Sequence, residues 1–481
     1  MSTASPGPSI KPRRRRWPYL VTAMLLLVAT PITYYALMRV RTHNDWRAAE
    51  AEIDAIDPRW RMEHLLADLP PIADDENLAL AVIRILAPDR TQFGTQRYST
   101  LFPDDYPQTA EMNPDQVKML RDKFLKIGKR LDDARELRKY TKGRFKITIT
   151  EDYFRTLLPH QDDVRILANW LTHDAKLLAQ DDEMDNALRS CESSLALGCA
   201  YRDDPFAVSF LAQWGMTNFT VNTIERVLAQ GEASDSALQQ LQTRALAESR
   251  LLNSTTAMRG ERAGHHQFFE GVRSGRLSLN GLIRGGNNGD LLAMISEWGE
   301  NAMPSIYLRQ YPDQLRFNTA LVELAKLPLH ERKEKFLSHQ KSLEATNNLL
   351  RHAFAATGTS ANNAEGRTRG LLLAAAAGIA CERYRLQHPD RAWPKSLEDV
   401  VKKGLLDELP RDPIDDQPLR YRIAKEGIVV YSIGTDEKDD AGNIDIARWN
   451  QPGVDIGVRL WNVNLRRQRP LPAPAEPEVR N

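Results

Sequence analysis

The residues best suited to chemistry lie in one acidic loop, Thr435-Asp-Glu-Lys-Asp-Asp-Ala-Gly-Asn-Ile-Asp445. Calcium is held by six to eight hard oxygens in a flexible geometry. Asp436, Asp439, Asp440, Asn443 and Asp445, gathered by a turn that includes Gly434 and Gly442, could supply several oxygens of that kind. The spacing is not that of an EF-hand, and a solvated acidic hairpin is the plain alternative. No nucleophile stands beside these carboxylates, so a calcium here would hold the shape of the loop and perform no reaction.

Other candidates are thinner. His266 and Glu270 stand one helical turn apart in Gly264-His-His-Gln-Phe-Phe-Glu270, where an imidazole and a carboxylate could meet one metal ion. Such pairs are common by chance, and a surface pair is expected. His330-Glu331 lacks the second histidine of a zinc protease. The glycines of Gly285-Gly-Asn-Asn-Gly289 are followed by no Lys-Ser or Lys-Thr and preceded by no strand, so a loop between helices is expected there. Signatures of the H-E-x-x-H, G-x-S-x-G, Walker and C-x-x-C kinds are absent. Beyond calcium, the sequence points to no cofactor.

The elements that position these residues begin with a hydrophobic one. Residues 17–38 carry no charge and suffice to cross a bilayer as a helix. Trp17, Tyr19, Tyr34 and Tyr35 stand near its ends, where amphipathic rings favour the headgroups. Lys11 and Arg13 to Arg16 precede the span, which by the positive-inside rule puts the N-terminus in the cytoplasm. The alternative is a cleaved signal peptide, but the apolar run exceeds an ordinary signal core and no clear small-x-small site follows. A single-pass protein of the inner (cytoplasmic) membrane is therefore expected, with residues 1–16 as a cytoplasmic tail and the bulk of the chain outside the cytoplasm.

Composition describes that bulk as globular, with 42% hydrophobic and 27% charged residues. Lys plus Arg number 65 against 64 Asp plus Glu, so no broad basic surface for nucleic acid is implied and any basic site must be local. The cysteines, Cys191, Cys199 and Cys381, are too few to staple a chain of this size and are expected as buried thiols. Cys191 and Cys199 would lie about 12 Å apart along a helix, beyond disulfide reach.

Apolar residues recur at helical spacing from Ile53 to Ile83, broken at Asp57-Pro58 and Pro70-Pro71. Asn113-Pro114 reads as the start of another helix. Residues 162–197 form an antiparallel helix pair whose small and large apolar residues alternate as in a degenerate tetratricopeptide (TPR-like) unit, and a second pair follows at 212–230 and 236–252, capped by Ser234 or Asp235. The helical domain is expected over residues 42–356. Thr357 to Arg367, rich in Ser, Asn and Gly, reads as a domain boundary. Beyond it come an Ala-rich helix ending before Pro389 and strands around Tyr421 and Ile428 to Ile433. The fold class is thus mainly α with a small α+β C-terminal lobe, and the tail 465–481 is expected to be disordered from Arg466.

The series Tyr384-Arg-Leu, Trp393-Pro, Leu409-Pro-Arg-Asp-Pro413, Leu419-Arg-Tyr421, Tyr431-Ser-Ile-Gly-Thr-Asp436 and Asp445 resembles the globular part of a type II secretion major pseudopilin. The resemblance implies a helix on a small antiparallel sheet over residues 368–464, with calcium in the loop that matches Asp436 and Asp445. No Gly-Phe-x-x-x-Glu processing site precedes the span, so a borrowed module is expected and no pilus subunit. The whole layout, including Asp57-Pro-Arg-Trp-Arg-Met62, Arg259-Gly-Glu-Arg-Ala263 and Asp455-Ile-Gly-Val-Arg-Leu-Trp461, also resembles a large bacterial family of membrane-anchored proteins of unknown function. A non-enzymatic scaffold is expected, with the bilayer and a protein or peptide as partners and no nucleic acid. The rival expectation is an extracytoplasmic hydrolase with an unrecognised site.

Overall fold

Helix α1 (Trp17–Ile56) is continuous, so the apolar segment and the first element of the body are one rod. Through Leu37 its described side chains are exposed, whereas further along Trp46, Ala49 and Ile53 are buried. Asp57-Pro58 ends it, as the clash between a proline ring and the preceding residue requires. The computed structural model describes residues 17–87, 106–279, 303–344, 348–445 and 451–470. The basic tail 1–16 and the loop Gly285–Gly289 lie outside these.

The body is mainly helical. After α2 (Met62–Ala67) and α3 (Leu78–Leu86), Asn113 caps α4 (Pro114–Ile127) in a capping box with Gln116, as Asn113-Pro114 predicted. Helix α5 (Lys129–Arg135) follows. Helices α6 (His160–Gln180) and α7 (Met184–Ala196) form the first hairpin; α8 (Ala207–Leu228) and α9 (Asp235–Leu251) form the second. Ser234 caps α9, its hydroxyl accepting from Ala237 N at 3.2 Å. Then come α10 (Thr255–Arg273), α11 (Met303–Ala325), α12 (Leu329–Glu344), α13 (Leu349–Gln387) and α14 (Leu397–Lys402). All three cysteines are buried free thiols.

Three antiparallel strands complete the fold: β1 (Arg420–Ala424), β2 (Gly427–Ser432) and β3 (Ile456–Trp461). They lie in the order β1-β2-β3, with Tyr421 opposite Val430 and Val430 opposite Val458. Helix α13 lies between this sheet and the hairpin helices α8 and α9. Leu372, Ala376 and Cys381 share one core with Val430 and Val458 on one side and Leu238 and Leu241 on the other. Small residues permit the close approach: a Cβ on Gly378 would stand 2.9 Å from Val458 Cγ2.

Two sequence expectations change here. Thr357 to Arg367 is no linker but the middle of α13. Its small residues serve packing, since a Cβ on Gly358 would meet Leu321 Cδ1 at 2.7 Å. Within it Glu365, fully buried, accepts from Ser254 Oγ at 2.5 Å, Arg332 Nη1 at 2.8 Å and Arg369 Nη2 at 3.1 Å. The second change concerns Arg466 to Gln468, which are held in place. Arg466 is buried against Glu382, Arg467 N donates to Ala229 O at 3.0 Å, and Gln468 N donates to Thr109 O at 2.7 Å. Composition marks a loop only where solvent surrounds it; here distant segments supply the partners.

Candidate functional site

The acidic loop leaves β2 and folds back over its outer face. Gly442, at φ +73°, brings the backbone so close that a Cβ would lie 3.1 Å from Tyr431 and 3.2 Å from Val429. Asp436 accepts from Gly453 N at 3.0 Å and Lys438 N at 3.3 Å. Asp439 accepts from Tyr431 Oη at 3.0 Å and Ala441 N at 2.9 Å. Asn443 donates to Gly453 O at 2.7 Å, and Asp445 is half-buried where the described loop ends. Asp440 carries a buried Oδ2 without a hydrogen bond.

The loop's organiser is a residue the sequence reading did not place among the ligands. Asp455, buried just before β3, accepts from Gly442 N at 2.7 Å and Asp440 N at 3.3 Å. Burial first, and the charges of Asp439 and Asp440 after it, push its pKa above the usual carboxylate range. Asp436, Asp439, Asp440 and Asp445 do not bring three carboxylates within 4.8 Å of one another; among the described residues Glu50, His266 and Glu270 form the group whose ligand atoms converge that closely.

That second site corrects the reading of His266 and Glu270 as a surface pair. Helices α2 and α11 pack on α10, whose Phe268 and Phe269 are fully buried, and His266 is carried inward with them while Glu270 stays at the half-exposed edge. His266 is 8% exposed, its ring 4.6 Å from Trp60 and 6.0 Å from Tyr311. Burial and the neighbouring Arg61 and Arg273 lower its pKa to about 3, so the imidazole is neutral at physiological pH. Glu50 reaches it from α1, with Oε1 3.5 Å from His266 Nε2 and 2.8 Å from the indole nitrogen of Trp46. Glu270 pairs with Arg273 at 2.7 Å, and Arg273 lies over the Trp46 ring. The signal for Glu50 was local in part: Trp46 and Glu50 stand one turn apart on one helical face. By contrast, His330 and Glu331 stay exposed, 3.9 Å apart.

The third feature is a groove of about 1050 Å³ between the C-terminal end of α1, α11 and α12. Ile53, Ile56, Leu324 and Leu327 give it a mainly apolar lining, and Glu52, Arg316, Glu323, Glu334 and Lys335 are the charged residues among its walls. Arg316 grips Glu52 with two nitrogens at 2.6 and 2.7 Å. Glu50, His266 and Glu270 are not among the residues lining it. The inner side of the two hairpins is not free in the same way, because α13 packs along α8 and α9. No family model, no curated protein and no solved structure matches this chain.

Proposed function

We propose that this protein is a membrane-anchored interaction protein that holds a peptide or helical segment of a partner protein in the groove beside its anchor helix. The observation that carries the reading is the groove itself, an apolar channel between helices with charged walls, of the kind that takes the apolar face of an amphipathic helix. Ile56, 56% exposed at its rim, offers apolar surface that the fold leaves uncovered. The rival reading, an extracytoplasmic hydrolase, needs convergent His, Asp or Glu side chains opening on substrate. In the groove His339 is instead stacked on Phe317, with ring centroids 4.2 Å apart, and Glu52 is paired with Arg316.

Helix α1 is long and apolar enough to cross a membrane, which supports a membrane anchor. The basic residues before it support a cytoplasmic N-terminus with the body outside the inner membrane. In the C-terminal part we propose a structural calcium held by Asp436, Asp439, Asp440, Asn443 and Asp445, with Asp455 beside them. The loop carboxylates gathered around buried Asp455 and the unpartnered Asp440 Oδ2 support a cation there.

The groove is tested by placing a photo-crosslinking residue at Ala320 or Leu324 in the full chain, in cells. A crosslinked partner that is lost on Ile56→Asp is expected. Crosslinks indistinguishable from those of a probe at Leu125, an 84% exposed position on α4, would sink the proposal.

A further inference from the structure

Where α1 meets α10, the ligand atoms of Glu50, His266 and Glu270 lie within 4.8 Å of one another. His266, nine-tenths buried, has its Nδ1 without a hydrogen-bond partner. The hydroxyl of Tyr311, a fully buried residue, is also unpartnered, and Glu50 and Glu270 are the carboxylates whose charges it feels. Buried polar atoms left without partners cost stability; here one belongs to the imidazole of the cluster and the other to the tyrosine beside it.

We propose that Glu50, His266 and Glu270 bind one divalent transition-metal ion, of the zinc class, as a staple between the anchor helix and the body. The donor set selects the metal. One imidazole with two carboxylates suits zinc and its neighbours, whereas calcium and magnesium require an oxygen shell that these three residues do not supply. The two carboxylates offset a dication's charge, against the neighbouring Arg61 and Arg273. Arg273 is the competitor: it pairs with Glu270 from the half-exposed edge and shares that carboxylate with the ion. The role is structural. One ligand comes from α1 and two from α10, so binding joins elements far apart in sequence.

The test uses the detergent-solubilised full chain, stripped with a chelator and titrated with zinc or cobalt. One zinc retained per chain is expected, together with visible cobalt absorption of a low-coordinate site. Even outer-shell changes at metal sites weaken binding by about 10–100-fold, so Glu50→Gln or Glu270→Gln should cost at least that while far-ultraviolet dichroism stays unchanged. Arg273→Gln should tighten binding, a gain that a metal-free structural cluster would not produce. Folded wild-type protein that retains no zinc and gives no cobalt bands overturns the proposal. So does zinc retained equally by the Glu50→Gln/Glu270→Gln double variant, because that ion would sit elsewhere.

Discussion

Arg466 holds Glu382 with two guanidinium nitrogens, each 2.8 Å from one carboxylate oxygen, and both side chains are buried. Burial alone would raise the pKa of Glu382, but Arg466 and Arg385 outweigh it and hold the carboxyl below its usual value. Removing Arg466 leaves buried Glu382 with Arg385 alone, so Arg466→Ala should destabilise the body in urea unfolding, by less than the about 3–5 kcal/mol of a fully stranded buried charge. Because the folded pKa is depressed, this stabilisation is fully present above the unfolded carboxyl pKa and is lost as pH falls through the folded value. A variant as stable as wild type at pH 7 would show the tail to be dispensable.

A backbone prediction concerns Gly427, at φ +152° in the hairpin between β1 and β2. A Cβ there would stand 1.9 Å from Leu460 O across the sheet. Left-handed strain and a clash with backbone act together, so Gly427→Ala should cost several kcal/mol, at least about 2–3. Thermal melting of the two proteins side by side decides it; a shift within error would mean the β2–β3 pairing yields easily.

Glu225 of α8 is fully buried and accepts from Arg459 N of β3 at 3.2 Å. Burial pushes its pKa to about 7. A carboxyl whose folded pKa is raised contributes stability that is complete below its unfolded pKa and declines as pH rises through 7, at most about 1.4 kcal/mol per pH unit. Glu225→Gln keeps the acceptor and removes the proton. Its stability relative to wild type should therefore grow between pH 5 and pH 8. Parallel stability profiles for the two proteins would place the ionisation elsewhere.

If the acidic loop binds calcium, the ion stabilises the folded chain by mass action, about 2.7 kcal/mol at a hundred times Kd. Melting of the full chain should rise with calcium and fall back with a chelator. Asp436→Ala with Asp445→Ala should abolish the response without preventing folding. Identical melting of the wild type under both conditions would leave a solvated hairpin.

Orientation is testable by fusion. A reporter active only outside the cytoplasm should work when joined after Asn481, and one active only inside should not. The reverse pattern would invert the topology.

What the sequence conveyed was local. The Asn113 and Ser234 caps, the break at Asp57-Pro58 and the helix end before Pro389 depend on a few adjacent residues, and each stands where spacing put it. The missed features depend on partners far along the chain. Glu365 and the small residues around it look like a linker until Ser254, Arg332 and Leu321 are brought alongside. His266 and Glu270 look solvent-facing until α1 delivers Glu50 and Trp46. Arg466 looks like tail until Glu382 is buried beneath it. The strand β3 entered only as part of a stretch resembling a bacterial family, although Ile456, Val458 and Leu460 alternate with Gly457 and Arg459 and face the core.

The unbroken course of α1 leaves no joint between bilayer and body. Beyond residue 38 the helix runs on for about 27 Å at its regular rise, and Trp46, Ala49 and Ile53 are locked into the interior along that length. If the apolar half lies in a membrane, the body is joined to it as to a mast and not as a bead on a string. Were the span to tilt in a bilayer, the groove beside the end of the same helix would be carried with it.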